Sequence, residues 1–458
     1  MIRTLTLGGA GLRGIVGGGL TPSNAADFTA AFATLIECGG RVLVGNDPRT
    51  SSEMLRSAVL AGLAGSGCAA VDGGVMTAGM MHCLIPALGF AGGILISGGH
   101  QAAGWNALIP LAADGSYFNP LRQRELFDLY QGRRFREVAA AGVHPVRPLD
   151  SRAGDRYWEF LASRLDCGAI AGAKLKIVAD FCNGSGAAFA QRFARLVGVE
   201  LVAVNDMPCG VIPRDPEPRP RSEAPIRSII KPLGAAAGLV FNRDLSRMGI
   251  VTENGEPLSE ELTFPLALDY YLERMRGTPG FKVVTNTCST LTIDDVVARR
   301  GGVTEKTVVG QAAVVDRMRT CGAAAAGEGS GSFTVTGMNG FDGFLMAGLL
   351  LESLAKRGGT LSSQLAGLTR YHIVKQKIPC VIPHAHLMLR KLRQEFGEEC
   401  RVSDIDGLRF DWEDGFLSLR FSNTEPLLRL ISESRRREAA EERAWRARLF
   451  FEHRMAGA

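Results

Sequence analysis

Apolar and polar positions along this chain fall into a repeating grammar. A short apolar run is followed by a polar or glycine-rich loop, and the loop opens an amphipathic helix. The first instance is Arg41–Gly45, then Asn46 to Ser52, then a helix. Gly92–Ile96 is another buried strand, followed by the loop Ser97-Gly98-Gly99-His100-Gln101-Ala102-Ala103-Gly104. Lys174–Asp180 and Glu200–Val204 flank a helix over 187–197, and Ala237–Phe241 runs into Asn242-Arg243-Asp244-Leu245-Ser246-Arg247. A third round has a strand over 281–285, a helix over 289–299, a short strand over 307–309 and a helix over 343–357. The helix over 23–37 follows Pro22, which suits its first turn, with Thr21 and Ser23 as alternative caps. Gly8 to Gly19 reads as a glycine-rich loop carrying one cation, Arg13.

The last segment differs. Leu417–Phe421 alternates like a half-buried strand, Ser422 to Pro426 is a polar turn, and Leu427–Ile431 is a second strand. Arg420 and Arg429 bracket the turn. Hydroxyls, an amide and turn N–H groups between two guanidiniums can cradle a dianion. The same residues also make an ordinary hairpin with surface arginines. Spacing does not choose between these readings.

Composition narrows the class. The 458 residues are 46% hydrophobic and 22% charged, enough for three or four ordinary globular domains. A formal charge of +5 suits an anionic small ligand and shows no basic stripe for nucleic acid. Apolar stretches are broken before membrane-spanning length. Ten scattered cysteines without a CxxC read as free thiols in the cytoplasm.

Arg420-x-Ser422-Asn423-Thr424-Glu425-Pro426-x-x-Arg429 resembles the phosphate-binding loop of the α-D-phosphohexomutase family. Further motifs share the resemblance: Gly11-Leu12-Arg13-Gly14, Val44 to Ser52, Asn183-Gly184-Ser185-Gly186, and Gly327 to Ser332. The resemblance implies an α/β chain of three similar mixed-sheet domains and a C-terminal α+β domain around a central cleft. The expected segments are 1–148, 149–258, 259–368 and 369–458. It implies a phosphorylated sugar as partner, with Arg420, Ser422, Asn423, Thr424 and Arg429 on its phosphate and Glu328 and Ser330 on its hydroxyls.

The departures from the family pattern matter most. Gly99 stands where the family's phosphoryl-carrying serine stands, and glycine has no oxygen to carry a phosphoryl group. Ser97 lies two positions earlier, so its hydroxyl is expected several ångströms away. The family holds Mg²⁺ with three aspartates, which here read Asn242, Asp244 and Ser246, so Mg²⁺ binding through Asp244 is expected to be weak. Arg243, a glycine in the family, is expected to place a cation where the metal sits or to face outward, with Arg13 and Arg247 as further cleft residues. The leading expectation is acid/base chemistry on a phosphosugar or sugar nucleotide by His100, Asp244 and Glu328. A non-catalytic phosphosugar-binding protein is the second expectation. Residual mutase activity through Ser97 or His100 is the third.

Overall fold

The computed structural model describes residues 4–9, 11–275, 280–379, 382–397, 400–421 and 427–455. One four-strand unit occurs three times. In the first, Arg41–Asn46 lies between parallel neighbours Ala69–Val75 and Gly92–Ile96, and Trp105–Ala112 returns antiparallel beside the latter. The second sheet repeats this order with Lys176–Asp180, Glu200–Val204, Ala237–Phe241 and the antiparallel Met248–Val251. The third repeats it with Lys282–Asn286, Val303–Thr307, Ala325–Glu328 and the antiparallel Ser332–Val335.

Buried runs such as Gly92–Ile96 and Ala237–Phe241 sit inside their sheets, so both faces are apolar. The helix Gly343–Arg357 is buried along most of its length, which accounts for its near-continuous apolar sequence. It packs its Phe344 against Phe193, Phe181, Phe241 and Trp158. One apolar cluster runs from the first unit through the third, so these segments share a core. The C-terminal sheet is antiparallel, in the order His372–Pro379, Leu427–Ser434, Gly415–Phe421, Leu408–Trp412, Arg401–Ser403. The helices Ile382–Phe396 and Arg437–Met455 accompany it, and its apolar side chains form a separate cluster.

Several expectations change. Gly11–Ile15 is a strand inside the stretch read as a loop, paired antiparallel with Trp105–Ala112 and Thr6–Gly8. Gly11 has φ +75°, and a Cβ there would lie 2.1 Å from the Leu108 carbonyl oxygen, so glycine permits this pairing. The third unit's second strand is Val303–Thr307 rather than 307–309.

Not all thiols are free. Cys38 and Cys68 are paired as a disulfide with Cα atoms 5.1 Å apart. They lie beyond the helix Pro22–Leu35 and just before the strand Ala69–Val75, which fold together in the first unit. Closing the 30-residue separation is expected to stabilise the oxidised protein by about 3–4 kcal/mol. Denaturant titration of C68S against the oxidised parent measures this.

Glu223 is fully buried, and neither carboxylate oxygen has a hydrogen-bond partner among the described residues. Burial, reinforced by Glu260, pushes its pKa up to about 8. The folded chain therefore holds a proton that the unfolded chain releases above the ordinary carboxylate range. Stability from this group is full at low pH and falls as pH rises from about 4.5 to about 8, by roughly 3–5 kcal/mol. E223Q is expected to flatten that fall in melting temperature across the same window.

Candidate functional site

The three repeats put corresponding loops together. Each connects the third strand of a unit to its antiparallel fourth: 97–104, 242–247 and 329–331. Ligand-binding loops of α/β sheets gather at the carboxyl ends of strands for this reason. Neighbouring backbone ties two of these loops to other units. The Met248 N–H donates to the Gly331 carbonyl at 2.9 Å, and the Ala78 N–H donates to the Asp244 carbonyl at 2.9 Å.

Ser97 and Asp244 join the first two loops. The Ser97 hydroxyl, 2% exposed, donates to Asp244 Oδ2 at 2.7 Å and lies 3.2 Å from Asp47 Oδ2. It also accepts from the Gly99 N–H at 2.9 Å. Gly99 has φ +53°, and a Cβ built on it faces the same Asp244 Oδ2 at 3.3 Å. Ser97 and position 99 thus share one neighbour, Asp244 Oδ2. The Ser97 hydroxyl, two positions away in sequence, reaches the same carboxylate oxygen that a side chain at 99 would meet.

Asp244 Oδ2 takes the Ser97 hydroxyl, and Oδ1 is filled with donors. Its Oδ1 accepts from Asn242 Nδ2 at 2.8 Å, from the Ser246 hydroxyl at 2.7 Å and from the Ser246 N–H at 3.2 Å. The Asn242 amide donates as well to the Ser246 hydroxyl at 3.0 Å, while its oxygen accepts from the Arg247 N–H. A hard dication needs oxygen lone pairs and negative charge from these three positions. They supply one carboxylate, with N–H and O–H groups aimed at it. Among the described residues no cluster of His, Cys, Asp and Glu is arranged for a metal. The residues present do not fit Mg²⁺.

Arg243 does not stand in for the metal, and it does not face outward. Its side chain is fully buried. Nη1 donates to the Cys182 and Val211 carbonyls at 3.0 and 3.1 Å, and Nη2 to the Cys209 carbonyl at 2.7 Å. Burial lowers its pKa. The loop turns it behind the strand ends, toward the turn after Asp180.

His100 is partly buried. Its pKa is held well below 6.5, first by burial and then by Arg247, Arg13, Arg219 and Arg429. The imidazole is neutral near physiological pH. Gln101 Nε2 lies 3.3 Å from its Nε2. Arg13, on the strand Gly11–Ile15, has its own pKa lowered by burial and by Arg247, with Asp244 opposing. Arg247 donates to Glu217 Oε1 at 2.9 Å, and Arg219 pairs with the same carboxylate.

In the third unit, Glu328 Oε1 accepts from Asn286 Nδ2 at 2.8 Å and from the Gly310 N–H at 3.0 Å. Ser330 is partly exposed in the adjoining turn. Tyr117, whose hydroxyl donates to Gln311, feels both Asp244 and Glu328, and burial with these charges raises its pKa. The loops of His100, Asp244 and Glu328 therefore meet in one neighbourhood.

Arg420 and Arg429 are direct cross-strand partners, and Lys377 is the next partner of Arg429. Three cations thus form a row across the C-terminal sheet on one face. Arg420 pairs with Asp406 at 3.2 Å, and Asp406 also accepts the Val309 N–H at 2.8 Å. Ser422, Asn423 and Thr424 lie outside the described residues. Sequence reasoning missed Lys377, because only strand register reveals its place, and missed Ser97–Asp244, because 147 residues separate them.

Four models of phosphoglucomutase/phosphomannomutase domains match the chain in order: α/β/α domain I at 4–137, domain II at 155–255, domain III at 260–371 and the C-terminal domain at 377–449. The chain belongs to the α-D-phosphohexomutase family. Similar members include a "probable phosphoglucosamine mutase" of Methanopyrus kandleri, 30% identical over 95% of both chains. Another bears the same name in Pyrococcus abyssi, 29% identical over 95% of both chains. A crystal structure of a phosphoglucomutase/phosphomannomutase family protein from Burkholderia thailandensis matches with a TM-score of 0.82 at 25% identity. It covers 97% of this chain and 98% of that one. Among the described residues no helix is long and apolar enough to cross a membrane.

Proposed function

We propose that the chain binds a phosphorylated hexose or hexosamine and acts as a phosphosugar mutase in which His100, not residue 99, receives the phosphoryl group. Full-length similarity to proteins named as phosphoglucosamine mutases supports the substrate class. The row of Lys377, Arg429 and Arg420, in register on one face of the C-terminal sheet, supports phosphate binding, because neighbouring guanidinium and ammonium donors suit a dianion.

One observation carries the choice of carrier. The imidazole of His100 is neutral and lies under the influence of four guanidiniums. A neutral imidazole is a nucleophile, and the cations would stabilise the negative group it acquires. Ser97 has the opposite surroundings, with its oxygen between Asp47 and Asp244. A phosphoryl group there would face two carboxylates across a low-dielectric gap. In the step proposed, a ring nitrogen lone pair attacks phosphorus, the sugar O–P bond breaks, and the departing oxygen takes a proton from water. The reverse step returns the group to another sugar hydroxyl.

Incubation with a hexose 1,6-bisphosphate is expected to add one phosphoryl mass that acid removes and base preserves. Saturable binding of glucosamine 6-phosphate with no adduct and no turnover would sink transfer. That result would favour the second reading, a phosphosugar-binding protein, which the donors that fill Asp244 Oδ1 support.

A further inference from the structure

The loops that would hold a dication in this family are closed by donors, yet a phosphate ester bound beside them still needs positive charge. The nearest sources are fixed. Arg13, on the strand Gly11–Ile15, is the register partner of Ala107, whose carbonyl accepts the Ser97 N–H at 3.0 Å. Arg247 follows the Asn242–Ser246 network directly, and its backbone N–H is tied to Asn242. Its Nη1 is held by Glu217, while its Nε is buried without a hydrogen-bond partner among the described residues. A guanidinium so clamped, with an N–H left over, is organised in advance for an oxyanion. Arg13 thus lies one strand from the 97–104 loop, and Arg247 ends the loop whose Asp244 takes the Ser97 hydroxyl, so both cations border the loop that carries Gly99 and His100.

The Asn242 amide explains why an ion is not needed to hold the loop. Where a carboxylate would repel Asp244 unless a cation lay between them, the amide donates to Asp244 at 2.8 Å and to the Ser246 hydroxyl at 3.0 Å. The loop is satisfied by its own hydrogen bonds. The remaining task of a metal, neutralising a phosphoryl group, falls to the arginines.

We infer that Arg13 and Arg247 replace the divalent cation at this site, so the chain binds phosphate esters without one. This rests on the phosphosugar reading above. Two measurements on the full chain test it. The first is titration with Mn²⁺ alone, followed by electron paramagnetic resonance. The parent is expected to show no site tighter than about 1 mM. N242D/S246D, which restores three neighbouring carboxylates, is expected to gain a site at least about tenfold tighter. The second is calorimetric titration with glucosamine 6-phosphate in EDTA and in excess Mg²⁺. Affinity is expected to be equal in the two buffers and to fall about 10- to 100-fold in R13A and in R247A.

A parent that binds Mn²⁺ tightly, or that takes the sugar phosphate only with Mg²⁺, overturns the inference and leaves the phosphosugar reading standing. Absence of binding in both buffers overturns the phosphosugar reading itself. The parent's Mn²⁺ titration decides the point even if N242D/S246D does not fold.

Discussion

An H100A variant is expected to gain no phosphoryl mass from a hexose 1,6-bisphosphate while still binding glucosamine 6-phosphate. The imidazole is the carrier in the step proposed, and removing a nucleophile costs several orders of magnitude in turnover. Phosphate binding rests on other groups, the row of Lys377, Arg429 and Arg420 and the pair Arg13 and Arg247. A split result, with affinity kept and transfer lost, is therefore the signature. The pH profile of the parent adds a second check. Because burial and four arginines hold the His100 pKa well below 6.5, its neutral, nucleophilic form persists through the mildly acidic range. The acid limb of transfer is expected well below that value. A limb near an ordinary histidine pKa would place the carrier elsewhere.

Serine at position 99 sharpens the same test. A Cβ there faces Asp244 Oδ2 at 3.3 Å, and the φ of +53° would strain it by about 1–2 kcal/mol. With no dication between them, a phosphate on that serine would repel Asp244. G99S is therefore not expected to rescue H100A. G99S/N242D/S246D/H100A, which returns both hydroxyl and carboxylates, is expected to recover an acid-stable adduct that depends on Mg²⁺. Rescue by G99S alone would mean that the arginines suffice for a serine carrier, and that His100 is dispensable.

Much of this architecture is readable in one dimension because buried parallel strands are continuous apolar runs. Gly92–Ile96, Glu200–Val204, Ala237–Phe241 and the helix Gly343–Arg357 coincide with their expected spans. The returning strands Met248–Val251 and Ser332–Val335 are only four residues long, and glycine, serine or threonine interrupts their apolar pattern. Their pairing is set by the neighbouring strand more than by their own residues. Gly11–Ile15 is hidden in the same way, because the glycines that let it approach Leu108 are also the mark of a loop.

Within the site, residue types were legible and directions were not. The glycine at 99, the amide at 242 and the hydroxyl at 246 are written in the sequence. That Ser97 would close onto Asp244 depends on how two sheets meet. The Cys38–Cys68 disulfide is invisible to composition for the same reason, since proximity across a helix end and a strand start leaves no spacing motif.

Arg243 is the clearest case of direction deciding function, and its replacement carries the largest expected loss of stability. The guanidinium gathers the carbonyls of Cys182, Cys209 and Val211, which belong to two separate loops of the second unit. Its own backbone carbonyl accepts from the Ser185 N–H at 2.7 Å, so backbone and side chain together hold the turn against the strand ends. Cys182 and Asn183 there have φ of +52° and +49°, a conformation that surrounding contacts must impose. R243A leaves those carbonyls without this donor, at about 1–3 kcal/mol for each one buried, and opens a cavity. Partial relaxation toward water brings the expected cost to about 3–5 kcal/mol, read from denaturant midpoints. R243K should recover less than half, because an ammonium cannot fork across three separated carbonyls. The contrasting reading, a cleft cation standing in for a metal, makes the opposite forecast. Stability would be nearly unchanged, and affinity for glucosamine 6-phosphate would fall with a shallower salt dependence. The carbonyl cage predicts an unfolding midpoint that moves and, in the fraction still folded, a phosphosugar affinity that does not.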